Sequence, residues 1–171
     1  MKNCNCILLT LITATTLLLF IPISAYSSEK TEQWELIDDG RGQANVTLIQ
    51  AQDGTITSDG NWVYNYQGAS VSGSYANAPM TISGSSISIN ATGTATNPSA
   101  PAGYNTSPYT LSINGTVFNG QGDGSFTITF QAIGWPNKIT GIWGGKRISG
   151  SGITAETVKI KAMPWLLLLL K

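Results

Sequence analysis

From residue 61 to residue 122 not one side chain carries a charge. Ser, Thr, Asn and Gly fill this stretch, with apolar residues set between them. A chain so poor in charge cannot build a helix surface laced with ion pairs. It can build short antiparallel strands whose outer faces are hydroxyls and amides and whose alternate residues face a core. The chain is therefore expected to be all-β, a conclusion that constrains architecture far more than chemistry.

The alternation is explicit in several segments. Residues 61–67 set Trp62, Tyr64 and Tyr66 against Val63, Asn65 and Gln67, and residues 85–92 set Ile87, Ile89 and Ala91 against Ser86, Ser88 and Asn90. Residues 125–132 place Phe126, Ile128, Phe130 and Ala132 opposite Ser125, Thr127, Thr129 and Gln131. Turn signals separate such segments. Asp38-Asp39-Gly40-Arg41-Gly42 reads as a turn, and Asp53-Gly54 and Asp59-Gly60 read as two hairpin turns bracketing a very short strand over 55–58. Residues 97–108 form the longest break, with Pro98, Pro101, Gly103 and Pro108. Residues 69–75 and 80–82 read as two further strands, 139–143 and 146–153 as a last hairpin, and 158–161 as a final alternating strand. The pattern predicts eight or nine strands, many of five to eight residues, and no helix. Neighbouring strands joined by short connections favour an antiparallel up-and-down barrel, with a β-sandwich as the alternative. Gly73, Gly115, Gly141 and Gly150 fall inside strands, as the bends of a small barrel require.

The ends have a different character. Lys2, the apolar run 7–21, Pro22 and the small residues Ser24 and Ala25 read as a signal peptide over 1–25. Its removal takes away Cys4 and Cys6, leaving no thiol for a disulfide, a nucleophile or a metal site. Residues 26–32 read as a polar leader, 33–161 as the barrel domain and 162–171 as an apolar tail ending in Lys171. Nine apolar residues are too few to cross a bilayer as a helix, where about 20 are needed. The tail is expected to pack on the barrel or to contact a membrane or the sorting machinery. The expected location is secreted or periplasmic, with cell-surface association through the tail.

Charge argues against several functions. Nine basic and nine acidic residues cancel, so nothing favours nucleic acid. Acidic Glu29, Glu32, Glu35, Asp38 and Asp39 crowd the start of the domain, and Lys138, Lys146, Arg147, Lys159 and Lys161 gather late. First and last strands lying side by side in a closed sheet account for that division.

Catalytic constellations are sparse. Histidine is absent, which removes the usual base of a nucleophile triad. Two carboxylates suffice for a glycosidase, and Asp38, Asp39, Asp53, Asp59 and Asp123 are the candidates, yet all stand in or beside glycine turns. The run Asn119-Gly120-Gln121-Gly122-Asp123-Gly124 has one carboxylate where a calcium loop needs several. No enzyme, cofactor or metal is expected. The aromatic stripe Trp62, Tyr64 and Tyr66, joined by Tyr75 and Trp143, is the candidate ligand-binding set, either lining a barrel cavity or filling it as core.

Gly60-Asn61-Trp62, Val71-Ser72-Gly73-Ser74-Tyr75 and Thr140-Gly141-Ile142-Trp143 together resemble strands of avidin-like and lipocalin-like secreted barrels. The resemblance spans about a quarter of the domain and implies a ligand-binding barrel fold. No counterpart of the polar residues with which avidins grip biotin is present. The expectation is a non-enzymatic barrel that holds a small apolar or neutral ligand. Two alternatives stand beside it: a structural or adhesion protein working through its Ser/Thr/Asn face, and a small outer-membrane barrel.

Overall fold

A computed structural model describes residues 29–154. The leader with its two cysteines, the expected strand over 158–161 and the apolar tail lie outside the described residues. The alternating segments fold into eight antiparallel strands: β1 (Lys30–Asp38), β2 (Gly42–Gln50), β3 (Ile56–Tyr66), β4 (Ala69–Ser83), β5 (Ser86–Thr96), β6 (Thr106–Phe118), β7 (Gln121–Phe130) and β8 (Lys138–Gly150). Each pairs with its neighbours in sequence and β8 returns to β1, so the sheet is a closed up-and-down barrel rather than a sandwich.

Three segment boundaries differ from the sequence reading. Asp59-Gly60 is not a turn; it lies within β3, where the pairing with β4 shifts register between Ser58 and Gly60. Across that irregularity the Asn77 amide donates to Asp59 Oδ1 at 2.7 Å. Residues 69–75 and 80–82, read as two strands, are one strand. Gly144-Gly145 does not turn either, and the expected last hairpin is the single strand β8. Strand lengths therefore run from 9 to 15 residues, not five to eight. Genuine two-residue turns sit at Gln67-Gly68 and Asn119-Gly120, where both residues take positive φ (49° and 85°, 50° and 75°), the geometry that suits a twisted hairpin.

The interior face of each strand carries the apolar alternates. Trp34, Val46, Leu48, Trp62, Tyr64, Val71, Tyr75, Ile89, Tyr109, Leu111, Ile113, Ile128, Phe130 and Trp143 are all buried in one cluster. Large rings face glycines across the sheet. Tyr64 lies opposite Gly42, Trp62 opposite Gly73 and Tyr75 opposite Gly60, Tyr109 opposite Gly93, and Phe126 opposite Gly141. A β-carbon built on Gly73 would stand 2.5 Å from the Trp62 ring, and one on Gly60 2.5 Å from the Tyr75 ring. Real side chains do not approach so closely. These glycines have ordinary φ angles, so they are required for space and not for conformation.

The outer wall is the reverse. On β5, β6 and β7 the outward residues are Ser86, Ser88, Asn90, Thr92, Thr94, Thr96, Thr110, Ser112, Asn114, Thr116, Ser125, Thr127 and Thr129, lying side by side in register. Phe118 at the end of β6, and Ile37, Val63, Ile142 and Ile148 on other strands, are scattered apolar exceptions. Strand length therefore does not distinguish this barrel from a membrane-spanning one; the wall of β5–β7 is largely polar, whereas a transmembrane barrel turns an apolar face outward.

The barrel is sealed between β1 and β8. Lys146 and Glu35 pair at 3.0 Å on the outside. Glu32, expected in a polar leader, is instead an inward residue of β1 with no solvent exposure. Arg147 Nη1 donates to its carboxylate at 3.1 Å, the amides of Ile153 and Thr154 at 2.9 and 3.2 Å, the Thr154 hydroxyl at 2.8 Å and Trp34 Nε1 at 3.2 Å. The chain after β8 is thereby drawn over one barrel end. Burial by itself would raise the Glu32 pKa, but the bonds from Ile153, Thr154 and Trp34 together hold it below its ordinary value of 4.5. The carboxylate thus stabilises the fold fully above the unfolded-state value, and that contribution is lost as pH falls below about 4.5 through the folded value. Thermal melts from pH 7 down to pH 3 should show Tm falling steeply in this window, and Glu32→Gln should flatten the fall. Glu32→Ala, which removes the acceptor of five hydrogen bonds, should cost about 3–5 kcal/mol at neutral pH.

Candidate functional site

The two barrel ends are built differently. Glu32 and residues 151–154 cover the end that also carries the β2–β3, β4–β5 and β6–β7 turns. The opposite end carries the β1–β2 turn, Gln67-Gly68, the long β5–β6 connection and the β7–β8 connection, and it is there that open space lies.

The two longer connections are held in place by their own hydrogen bonds. The Asn97 amide donates to Asn105 O at 2.8 Å, and Ala100 N to Asn97 O at 3.2 Å. Asn97 Oδ1 accepts from Ser99 N at 3.0 Å, the side-chain turn that Asn favours. Trp135 Nε1 donates to Tyr104 O at 2.8 Å, joining one connection to the other. Ser107, fully buried, accepts from the amides of Gln131 and Ala132 at 3.2 and 3.0 Å. The Trp135 ring rests on Phe130 with centroids 5.1 Å apart, which anchors the β7–β8 connection to the core.

Between these segments runs a cleft of about 550 Å³, lined by Tyr66, Gln67, Ala69, Val71, Asn97, Ala100, Pro101, Tyr104, Gly134, Trp135 and Pro136. No residue of that lining is charged at neutral pH. Tyr104 is 59% exposed, an aromatic ring left facing solvent at the cleft. A second recess of about 390 Å³ shares Tyr66 and Gln67 with the cleft and adds Arg41, Tyr64, Lys138 and Thr140.

The five aromatic residues singled out in the sequence are divided by the structure. Trp62, Tyr75 and Trp143 are core. Trp62 Nε1 donates to the Tyr109 hydroxyl at 3.1 Å, with the two rings edge to face at 5.3 Å. The Tyr75 hydroxyl bonds Ser58 Oγ at 3.2 Å. Most of the barrel interior is thus occupied by rings, leaving pockets of about 60 and 20 Å³. Tyr64 is buried at the border between the larger pocket and the recess, and Tyr66 alone reaches the cleft. Pattern reasoning missed Gln67, Asn97, Tyr104 and Trp135. For Tyr104 and Trp135 a signal was present in the sequence: aromatic residues beside Gly or Pro in the breaks between strands.

The carboxylates once weighed as a catalytic pair are dispersed. Asp53 sits in the β2–β3 turn, where the Thr55 amide donates to it at 2.8 Å and holds its pKa low. Asp59 binds Asn77, and Asp123 accepts from the Thr116 hydroxyl at 3.4 Å on the outer wall. Asp38, read as a turn residue, is the last inward position of β1 and only 4% exposed. No group of three or more His, Cys, Asp or Glu residues is placed to hold a metal among the described residues.

No family model matches this chain, and no curated protein or solved structure matches it.

The buried tyrosines report directly on how tightly the interior is filled. Burial pushes the Tyr75 pKa up from 10 to about 12, against a smaller opposing effect of its bond to Ser58. Burial likewise raises Tyr64 and Tyr109. Stability from these protonated phenols is complete below pH 10 and is lost as pH rises toward the folded values, because the unfolded chain ionises first. Absorbance titration should show a late phase of tyrosine ionisation near pH 12 coincident with unfolding. Tyr75→Phe should reduce that phase.

Proposed function

We propose that this protein is a non-enzymatic binding barrel that takes a small neutral ligand at its open end. The observation that carries the reading is the uncharged cleft between the β5–β6 and β7–β8 connections, where Tyr66, Tyr104 and Trp135 supply ring surface and Gln67 and Asn97 supply amides. Its volume of about 550 Å³ falls within the ~300–1,000 Å³ range of small-molecule sites. Rings with a few neutral donors and acceptors suit a ligand with an apolar face and hydroxyl or carbonyl groups, such as a neutral sugar or a small polyol. The site differs from the expected one, since ligand would seat in the mouth over a filled barrel and not deep inside it. Barrel closure with polar walls is compatible with the avidin-like and lipocalin-like resemblance in the sequence, and both support binding in an aqueous compartment outside the cytoplasm, reached through the leader.

A second reading draws on a separate observation. The outer wall of β5–β7 is a field of hydroxyls and amides interrupted by the exposed Phe118 ring, with Asp123 its one charge, a surface able to adhere to another hydroxylated surface. Binding at the mouth predicts a saturable signal from a monomer. Adhesion predicts self-association or attachment without one.

A panel of neutral sugars, polyols and small apolar compounds, followed by tryptophan fluorescence and calorimetry, separates these readings. At least one should bind with one-to-one stoichiometry, and Trp135→Ala or Tyr104→Ala should weaken it about tenfold, roughly 1–2 kcal/mol for a lost ring contact. If folded protein binds no member of the panel, or if both variants bind as well as wild type, the mouth is not the site.

A further inference from the structure

The 60 Å³ pocket is distinct from the cleft, and two buried polar groups in its lining, the Asp38 carboxylate and Trp143 Nε1, lack well-formed hydrogen bonds among the described residues. Asp38 is 4% exposed. No ion pair among the described residues includes Asp38. Arg41, in the same turn, lines the neighbouring recess. The Tyr64 phenol faces Asp38: burial raises its pKa, the Arg41 charge opposes the rise, and the Asp38 charge and side-chain contact add to it. A buried carboxylate with no ion-pair partner among the described residues is unfavourable unless something binds it.

The rest of the cavity specifies what that something is. Trp62, Tyr64, Phe126 and Trp143 line it alongside Leu36 and Val46. Aromatic rings beside a carboxylate are the surroundings that favour an organic cation, which gains from the charge and from the ring faces together. A hydrated metal ion would find one carboxylate and no other charged ligand here. Gly141 keeps the place open: a β-carbon there would come within 2.9 Å of Asp38 Oδ2 and 2.5 Å of the Phe126 ring. The volume admits a head group smaller than an aromatic ring.

We propose that the cavity beneath the β1–β2 turn is a binding pocket for a compact primary ammonium group, with Asp38 as its counter-ion and the surrounding rings as its walls. This site is independent of the neutral-ligand cleft, so either can fail without the other.

The test uses ethylammonium chloride, with ethanol as neutral isostere and sodium chloride as salt control, followed by the indole N–H resonance of Trp143 in NMR. Three heavy atoms limit the affinity to roughly millimolar. Ethylammonium should shift that resonance saturably in the millimolar range and raise Tm, while ethanol and sodium chloride should not. Asp38→Asn should weaken ethylammonium binding tenfold or more. The proposal is overturned if ethanol acts as well as ethylammonium, if the folded wild type shows no saturable shift, or if Asp38→Asn binds equally. Should that variant fail to fold, the comparison of ethylammonium with ethanol on the wild type decides alone.

Discussion

Everything in this barrel depends on how ring volume is accommodated inside a closed wall of eight strands. A barrel of that size has an interior just wide enough for side chains to fill. Trp62, Tyr64, Tyr75, Tyr109 and Phe126 all point inward, and each lies opposite a glycine on the adjoining strand. Trp143 leans over Gly115, where a β-carbon would stand 2.6 Å from its ring. The glycine removes a side chain where the ring needs room, and the ring covers backbone that the glycine would leave bare. Register follows from this pairing, because a one-residue slip would set each ring opposite a non-glycine outward position, such as Ser72 or Ser74 for Trp62 and Thr92 or Thr94 for Tyr109.

Closure and opening follow from the same plan. Filling the interior with rings leaves little open volume there, and the larger open space lies at one end. One end is drawn shut by Glu32, whose five donors come from β1, β8 and the segment after β8. A buried carboxylate so fully satisfied is a fastening. At the far end of the same strand Asp38 has the same chemistry, but among the described residues it has no ion pair and no well-formed hydrogen bond to either oxygen. Two inward acids on one strand thus differ sharply in how far their charge is satisfied.

Much of the fold was legible in the sequence because hydroxyl and apolar residues alternate with so little noise. The interior faces of β3, β5 and β7 are those the alternation indicates, and β1 and β8 meet as the lopsided charge suggests. Boundaries were misread where glycine has two meanings. Gly60 and Gly145 looked like turn formers, but they leave space for Tyr75 and Leu36, and that purpose depends on the strand across the sheet. Asp38 was hidden for a related reason: beside Asp39-Gly40 its turn chemistry was obvious and its inward direction was not. The cleft residues Gln67, Asn97, Tyr104 and Trp135 come from three separate connections, and only barrel closure brings them together.

The ring–glycine pairing is tested most directly by a double-mutant cycle on Trp62 and Gly73, read as unfolding free energy in urea. In wild type Gly73→Ala should cost about 1–3 kcal/mol, as overpacking does. In a Trp62→Ala background, where the ring is gone, the same change should cost close to nothing, giving a coupling of about 1–3 kcal/mol. Equal costs in the two backgrounds would mean that the ring does not depend on the glycine opposite it, and the account of how this barrel is filled would be wrong.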